Sequence, residues 1–368
     1  MGIETTPRAR TTRTLRTRRG ACGVEFARSS RAGADGTSVA LVCEYEHEAA
    51  EGTRAGAVGA YACARSEDGH GVDMRRVGGV GDEPSNGDAI GAVFEARWSA
   101  RVGEETSRCA FVDASGFLTT CDVDVVEDEG ADAPAIAATL EVKYKVQCGG
   151  GGLGMATCLD WRSDGAMLTS ASDGSFRVSR EDGARVEVVD VVEGAHDLEM
   201  WAIAFDIARN DVAYTGADDC AFKVWDLRDA SRARLTNRKT HGAGVTCVSP
   251  SPRDENIIAT GSYDDHVRLW DVRSLKNPVS ELNVGGGVWR CRWHPTRDAL
   301  ACAAMGGGAV LCDATGGALV QTFAYDEHES IVYGADWARL SDDPDRESVD
   351  VLVTCSFYDK CVRCWSLV

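Results

Sequence analysis

Two short runs of this chain alternate apolar and polar side chains with a period of two, Phe222 to Trp225 (FKVW) and Val267 to Trp270 (VRLW). That period predicts β-strands with one packed face and one wet face. Each run sits inside a phrase that occurs three times, an aspartate and a tryptophan with five residues between them: Asp219 to Trp225, Asp264 to Trp270 and Asp359 to Trp365. A histidine precedes each phrase, at His196, His241 and His328. The first two tryptophans are about 45 residues apart, the repeat length of a propeller blade built from four short strands.

The expected fold class is therefore all-β, a seven-bladed β-propeller of the WD-repeat type. Innermost strands are expected to begin near Cys22, Phe94, Thr157, Trp201, Thr246, Trp289 and Tyr333. Outer strands are expected to end near Arg65, Asp124, Arg180, Arg228, Arg273, Gly317 and Val368. Gly/Asp-rich joints separate them at residues 80–88, 149–152 and 180–183. Residues 12–368 form a single propeller in this reading, and residues 1–11 a disordered basic tail. From Thr12 the chain begins to look like an edge strand, and Thr12 to Arg18 is expected to pair beside the last blade so that no sheet edge stays open. The repeated histidine, aspartate and tryptophan are expected to hydrogen-bond in a chain that fixes each turn, with Asp264 holding the buried donors of His241 and Trp270. Ser179 and Cys312 replace the tryptophan in two blades.

Charge narrows the function classes. The 368 residues carry 58 acidic and 39 basic side chains, a net charge of −19. A surface of that sign disfavours nucleic acid and anionic membrane as partners and suits a cationic substrate or a basic protein surface. No apolar run is long enough to cross a bilayer. The 15 cysteines sit singly in apolar runs, such as Cys158, Cys247, Cys291 and Cys302, where a thiol behaves as a small hydrophobe. Cys361 and Cys364 have CxxC spacing, but on a strand they face opposite ways, and no second pair completes a zinc site. Reduced cysteines without a secretory signal suit a cytoplasmic protein, and neither metal nor cofactor is expected. The Arg/Thr-rich start and a formal myristoylation pattern at residues 1–6 are read as parts of a solvated tail.

Three patterns carry no chemistry in this reading. Gly149, Gly151 and Gly154 match a dinucleotide fingerprint but lead into a strand, Ala156 to Trp161, whereas the phosphate site needs a helix N-terminus. No G-x-S-x-G elbow occurs, which excludes the usual α/β serine hydrolase. The acidic stretch Glu127 to Glu129 reads as a solvated loop.

A propeller presents ligands at the mouth of its channel, where the innermost strands begin. Counting five residues from His196, His328 and His241 gives Trp201, Tyr333 and Thr246, and counting from Val284, in a histidine's place, gives Trp289. The residue before each turn aspartate reaches the same mouth: Asp218, Tyr263 and Tyr358. Glu199 lies at the rim. Trp201, Trp289, Tyr333, Tyr263 and Tyr358 thus form a candidate box for a quaternary ammonium group, because aromatic faces attract such cations. Glu199 and Asp218 are candidate bases, with His196 an outside candidate.

At these residues the sequence resembles the diphthine methylesterase family, the WD-repeat proteins of diphthamide biosynthesis. The resemblance rests on Gly194 to Trp201 (GAHDLEMW), Thr260 to Asp264 (TGSYD), Gly285 to Pro295 (GGGVWRCRWHP), Val332 to Trp337 (VYGADW) and Thr354 to Asp359 (TCSFYD). It is strong from about residue 150 onward, and Ala304 to Gly308 departs from the pattern. The resemblance implies hydrolysis of the methyl ester of methylated diphthine on elongation factor 2, with release of methanol. That substrate carries a trimethylammonium group close to the ester. With no serine elbow, a base-activated water is the economical route, and backbone N–H groups of Gly285 to Gly287 are candidate oxyanion donors. The competing expectation is a non-catalytic adaptor, because Trp225 to Arg228 (WDLR) and Trp270 to Arg273 (WDVR) match a short signature of substrate receptors for cullin-type ubiquitin ligases. In that reading Arg228 and Arg273 contact the ligase.

Overall fold

The computed structural model describes residues 9–27, 37–48, 53–65, 72–81, 89–100, 107–128, 135–149, 154–182, 185–338, 340 and 351–367. Among them every regular element is a β-strand, apart from one 3-10 turn at Thr315–Gly317. Five separate sheets each contain four strands, and one sheet contains eight. The eight-stranded sheet divides into two antiparallel sets of four, joined by a single parallel bridge from Gly78 to Ala138. The sheets are thus seven four-stranded units.

Each unit begins with the strand that faces the axis. These strands are Gly20–Phe26, Val93–Trp98, Ala156–Trp161, Met200–Phe205, Val245–Pro250, Arg290–Trp293 and Val332–Ala338. Each touches the next, and the last touches the first, so the units close into a ring. The all-β propeller expectation is met, and every expected starting residue lies within one position of its strand or inside it.

The expected outer ends need correction. Arg65, Asp124, Arg180, Arg228 and Arg273 lie in or beside third strands, and Gly317 follows one. The fourth strands lie beyond: Val72–Val80, Ala135–Gln147, Val186–Val192, Leu235–Asn237, Ser280–Asn283 and Val320–Tyr325. Leu235–Asn237 and Ser280–Asn283 are very short and Val186–Val192 and Val320–Tyr325 largely exposed, so hydrophobicity marks none of these four. The acidic stretch is corrected as well: Glu127 and Asp128 end the strand Phe117–Asp128, and Glu129 lies outside the described residues.

The fourth strand of the last unit comes from the other end of the chain. Ala9–Arg16 pairs antiparallel with Cys361–Leu367, from Ala9 opposite Leu367 to Arg16 opposite Cys361. It starts three residues before Thr12, so Ala9 to Thr11 are strand and not tail; residues 1–8 lie outside the described residues. N-terminal pairing closes the last edge without a further unit, the device by which a ring avoids a bare strand.

Turns between second and third strands are held by a repeated buried group. In the fourth unit His196 Nδ1 donates to Asp219 Oδ1 at 2.9 Å, and its Nε2 lies 2.7 Å from Thr215 Oγ1. Trp225 Nε1 donates to the same hydroxyl at 2.8 Å. The threonine recurs: Thr260 joins His241 and Trp270 at 3.0 and 2.9 Å, and Thr354 joins His328 and Trp365 at 2.8 and 3.2 Å. In the fourth unit the expected chain of three residues is therefore a chain of four, linked through the threonine; in the fifth and seventh units histidine, threonine and tryptophan are joined without a hydrogen bond from the histidine to the aspartate. Asp264 does not hold the donors of His241 and Trp270. It accepts from the backbone N–H of Gly242 at 2.8 Å and from Arg268 Nη1 at 3.0 Å.

Two expected outcomes follow from this group. Thr260→Val should cost about 1–3 kcal/mol in urea unfolding, because it strands the buried Trp270 N–H and the His241 ring; an unchanged midpoint would remove Thr260 from the turn's supports. The second concerns acid. Burial, helped by Arg268, lowers the His241 pKa to about 4, and burial lowers His328 to about 4 against the pull of Asp359. A histidine depressed in the folded state takes up protons only on unfolding. Its stabilisation is complete above the unfolded value of about 6.5 and is lost as pH falls toward 4. Unfolding free energy should therefore drop across that window, and less steeply in His241→Gln. Equal slopes in the two proteins would contradict the assignment.

Candidate functional site

The rim residues are placed there by a bulge that recurs in the innermost strands. Pairing between the first and second strands skips one residue near the start of the first strand in six units. The skipped residues are Cys22, Phe94, Thr157, Trp201, Thr246 and Tyr333. In the sixth unit Trp289 stands immediately before the strand Arg290–Trp293. A bulge frees a residue from the ladder and re-aims its side chain, so each unit sends one side chain toward the mouth of the channel.

Small and large side chains share this ring. Cys22 Sγ donates to Val93 O at 3.0 Å, Thr157 Oγ1 donates to Met200 O, and Thr246 Oγ1 donates to Val288 O. Each of these bonds ends on the carbonyl just before the next unit's aromatic residue, Phe94, Trp201 or Trp289. The small residues thereby seat the large ones and leave them room.

The rings expected to converge do so. Trp201 and Trp289 have centroids 5.4 Å apart; Tyr263 lies 5.9 Å and Tyr333 5.6 Å from Trp289. Phe94 packs 6.1 Å from Trp201. Tyr358 is reached through Phe357, whose ring is 5.1 Å from it and 6.1 Å from Tyr333. Here the count back from Asp359 needs correction. Thr354 pairs with Arg363, nine positions on, whereas Thr215 and Thr260 pair eight positions on, with Lys223 and Arg268. The last unit's turn thus holds one extra residue, and by register Phe357 corresponds to Asp218 and Tyr263. Tyr358 is the insertion and is 66% exposed. Phe357 and Tyr45, 4.4 Å apart, belong to the cluster and were not expected there. Tyr45 lies in an early unit that lacks the His/Asp/Trp phrase, so no repeat position pointed to it.

Asp218 is the acid closest to these rings. Its Oδ2 accepts from Trp201 Nε1 at 3.1 Å, and its backbone N–H donates to Glu199 O at 2.9 Å. Its Oδ1 has no hydrogen-bond partner among the described residues. Burial raises the Asp218 carboxyl above the usual range; Trp201 opposes the rise, and Glu199 and Asp219 add to it. Glu199 is half-buried beside it. His196 is not brought to the rim, because it is buried with both ring nitrogens engaged by Asp219 and Thr215. Of the three glycine amides, Gly285 N–H donates to Asn283 Oδ1 at 2.9 Å, whereas those of Gly286 and Gly287 have no partner among the described residues. The Cα of Gly287 is close to Tyr263: a Cβ there would lie 3.2 Å from the ring.

Below the rings lies charge. Arg290, next to Trp289, holds its guanidinium 5.0 Å from that ring's centroid. Its Nη2 is 2.6 Å from Glu95 Oε2. One face of Trp289 is therefore already occupied. Among the described residues a single group of potential metal donors occurs, His328, Asp359 and Cys361. His328 and Asp359 belong to the turn-fixing group, away from the rings.

Comparisons with known proteins agree with this architecture. A family model described as WD domain, G-beta repeat matches residues 151–178 and 233–271. A chain in a crystal structure of the mitotic checkpoint complex superposes with a TM-score of 0.65 at 14% identity, covering 100% of this chain and 94% of that one; it shows the fold alone. Diphthine methyltransferase homolog of Dictyostelium discoideum is 34% identical over 57% of this chain and 62% of its own length. Human diphthine methyltransferase is 29% identical over 68% of this chain and 56% of its own. The matched stretch is thus less than two thirds of either relative. The resemblance read from the sequence is borne out: this chain is a WD-repeat propeller similar, over half to two thirds of its length, to the proteins named diphthine methyltransferase.

Proposed function

We propose that the protein hydrolyses the methyl ester of methylated diphthine on elongation factor 2, releasing methanol, as a step of diphthamide biosynthesis. The observation that carries this reading is the meeting of Trp201, Trp289, Tyr263 and Tyr333 with the open oxygen of Asp218 at one mouth of the channel. The trimethylammonium group rests against the outer ring faces, and the ester lies beside Asp218. Trp201 fixes the carboxylate by one oxygen, leaving the other to take a proton from water. The hydroxide oxygen adds to the ester carbonyl, and the amides of Gly286 and Gly287 accommodate the oxyanion. Collapse expels methoxide, which takes the proton from Asp218 and leaves as methanol. The raised pKa brings Asp218 nearer to neutrality than an ordinary carboxylate, which suits a group that must both accept and return a proton. Glu199 contributes mainly by keeping negative charge beside Asp218.

The relatives' name, methyltransferase, leaves the direction of methyl movement open, so the decisive assay follows methanol. Purified protein acting on elongation factor 2 with methylated diphthine should release methanol without any methyl donor. Asp218→Asn should lower kcat by roughly two to four orders of magnitude with KM nearly intact, and Glu199→Gln should have the smaller effect. Near-normal turnover in both variants would defeat the acid assignment, and a gain of methyl groups on the substrate would defeat hydrolysis.

The aromatic assignment has a separate expected outcome. Tetramethylammonium should quench tryptophan fluorescence saturably. Trp289→Ala should weaken it by roughly the tenfold to thirtyfold expected from a cation–π contact of about 2 kcal/mol, and Trp289→Phe should weaken it less. If a neutral tert-butyl analogue bound as tightly, the rings would be apolar packing only.

The adaptor reading keeps one specific observation. Arg228 and Arg273 occupy the same place in successive units, 69% and 68% exposed, each forked onto its own aspartate, Asp226 or Asp271. A repeated, forked guanidinium on the surface offers a partner fixed hydrogen-bond donors. Arginine substitutions that change ligase association without changing methanol release would establish it as a second role.

A further inference from the structure

The opposite mouth of the channel, where the innermost strands end, contains a cavity of about 310 Å³. That is the lower end of the size range of small-molecule sites. Aromatic walls come from Trp161, Phe205, Trp293 and Trp337, and charged groups from Glu25, Asp160, Asp206, Asp336, Arg97, Arg162 and Arg292. These acids and arginines differ in what they have left to offer a ligand.

Every carboxylate oxygen in this wall already accepts a hydrogen bond. Asp160 takes the backbone N–H groups of Trp161 and Phe205 at 3.0 and 2.8 Å. Asp336 takes those of Trp337 and Phe26 at 2.9 and 2.8 Å. Glu25 takes Trp98 N–H at 3.4 Å on one oxygen, and Arg292 at 3.2 Å together with Arg97 on the other. Asp206 takes the backbone N–H groups of Ala208 and Arg209 and the Tyr214 hydroxyl. Arg162 is spent on Asp164 and Asn210. By contrast, Arg97 donates from Nε to Leu159 O and from Nη1 to Glu25, leaving Nη2. Arg292 donates only from Nη2, to Glu25 and Glu95, leaving Nε and Nη1. Among the described residues these three nitrogens have no partner, and none of them is sealed from solvent. A buried indole N–H, that of Trp161, also lacks an acceptor, although its counterparts on Trp98, Trp293 and Trp337 donate to neighbouring carbonyls.

From this surplus of donors we propose that the lower cavity is a second ligand site, for a small carboxylate with an aromatic or apolar body. The carboxylate bridges Arg97 and Arg292, and the body packs among the tryptophans. Guanidinium groups favour such planar anions because their forked N–H groups match both oxygens. The formal charges of the wall, four acids against three arginines, favour a cation by one unit. The acids are already solvated by protein donors, however: each of their oxygens accepts at least one hydrogen bond, whereas the three arginine nitrogens have no partner among the described residues.

The test uses three probes of matched size on the full-length protein: 3-phenylpropionate, its neutral amide, and phenethyltrimethylammonium, with binding read by saturation-transfer NMR and calorimetry. The carboxylate should bind at least about tenfold more tightly than the amide, the ratio expected from one charge-assisted hydrogen bond. Arg292→Gln should erase that preference. Because Arg292 also supports Glu25 and Glu95 and its loss could unfold the ring, Ala27→Phe provides a second variant; it fills the cavity from a half-buried wall position without touching a charge and should abolish carboxylate binding. Equal binding of carboxylate and amide, carboxylate binding that survives Ala27→Phe, or no carboxylate binding at millimolar concentration would each overturn the proposal. Ammonium binding that Ala27→Phe removes would overturn it too; ammonium binding that survives belongs to the upper mouth and leaves the lower site to the carboxylate result.

Discussion

Glu95 organises the axis of this molecule. Its Oε1 lies 3.0 Å from both Arg97 and Arg292, and its Oε2 lies 2.6 Å from Arg290. Burial works to raise this carboxyl, but Arg290, Arg97 and Arg292 outweigh it and hold it at about 2. Glu25 extends the group by bonding Arg97 and Arg292. The residues come from the first, second and sixth units, so the pairing ties together sheets that are far apart in sequence. Buried charge is costly unless each ion is paired and hydrogen-bonded. Removing Glu95 would leave three guanidiniums facing one another with only Glu25 to share, so the ring's closure and the ionisation of its axis are linked.

This charged layer also fixes what stands above and below it. Arg290 lies against the underside of Trp289, so the ring that anchors the aromatic cluster rests on an ion pair and not on hydrocarbon. Arg97 and Arg292 reach the other way, into the wall of the lower cavity. Each innermost strand therefore does three things along its length. Its bulged residue faces the upper mouth, its middle residues fill the axis, and its last residue, often a tryptophan, locks onto the neighbouring unit. Trp98, Trp293 and Trp337 show this lock, each donating to a carbonyl of the preceding unit.

Much of this was legible in the sequence because repetition turns position into geometry. The aspartate-to-tryptophan phrase marks a turn of fixed length, and counting five from His196 or His328 lands on the bulged residue because the loop between them has the same length in both units. The count failed at Tyr358, where one inserted residue shifts the register and puts Phe357 in the equivalent place. The threonines of the turn group were missed because Thr215, Thr260 and Thr354 sit inside apolar strands, where a β-branched residue needs no further explanation. The fourth strands escaped for the opposite reason: Leu235–Asn237 and Ser280–Asn283 bury too little to leave an apolar signature. The axial ion group had no sequence signal, since Glu25, Glu95, Arg97, Arg290 and Arg292 fall in three units and meet only when the ring closes.

The two mouths are left with opposite unspent chemistry, and the turn histidines help to explain why the upper one stays negative. A neutral His196 donates to Asp219 and accepts from Thr215, which leaves Asp219 ionised behind Asp218. Were His196 protonated, its charge would cancel the field that Asp219 exerts on the rim. Burial depresses the imidazole, so the turn stays fixed and the carboxylate behind the rim keeps its full effect. At the lower mouth the corresponding acids, Asp160 and Asp336, are consumed by backbone N–H groups of the adjoining units. Acids used to join sheets have each oxygen already engaged by a backbone donor, whereas the arginines between them keep donors free. The same seven-fold scaffold thus offers acceptors and ring faces at one end and guanidinium donors at the other, because its carboxylates hold the ring together at only one of the two.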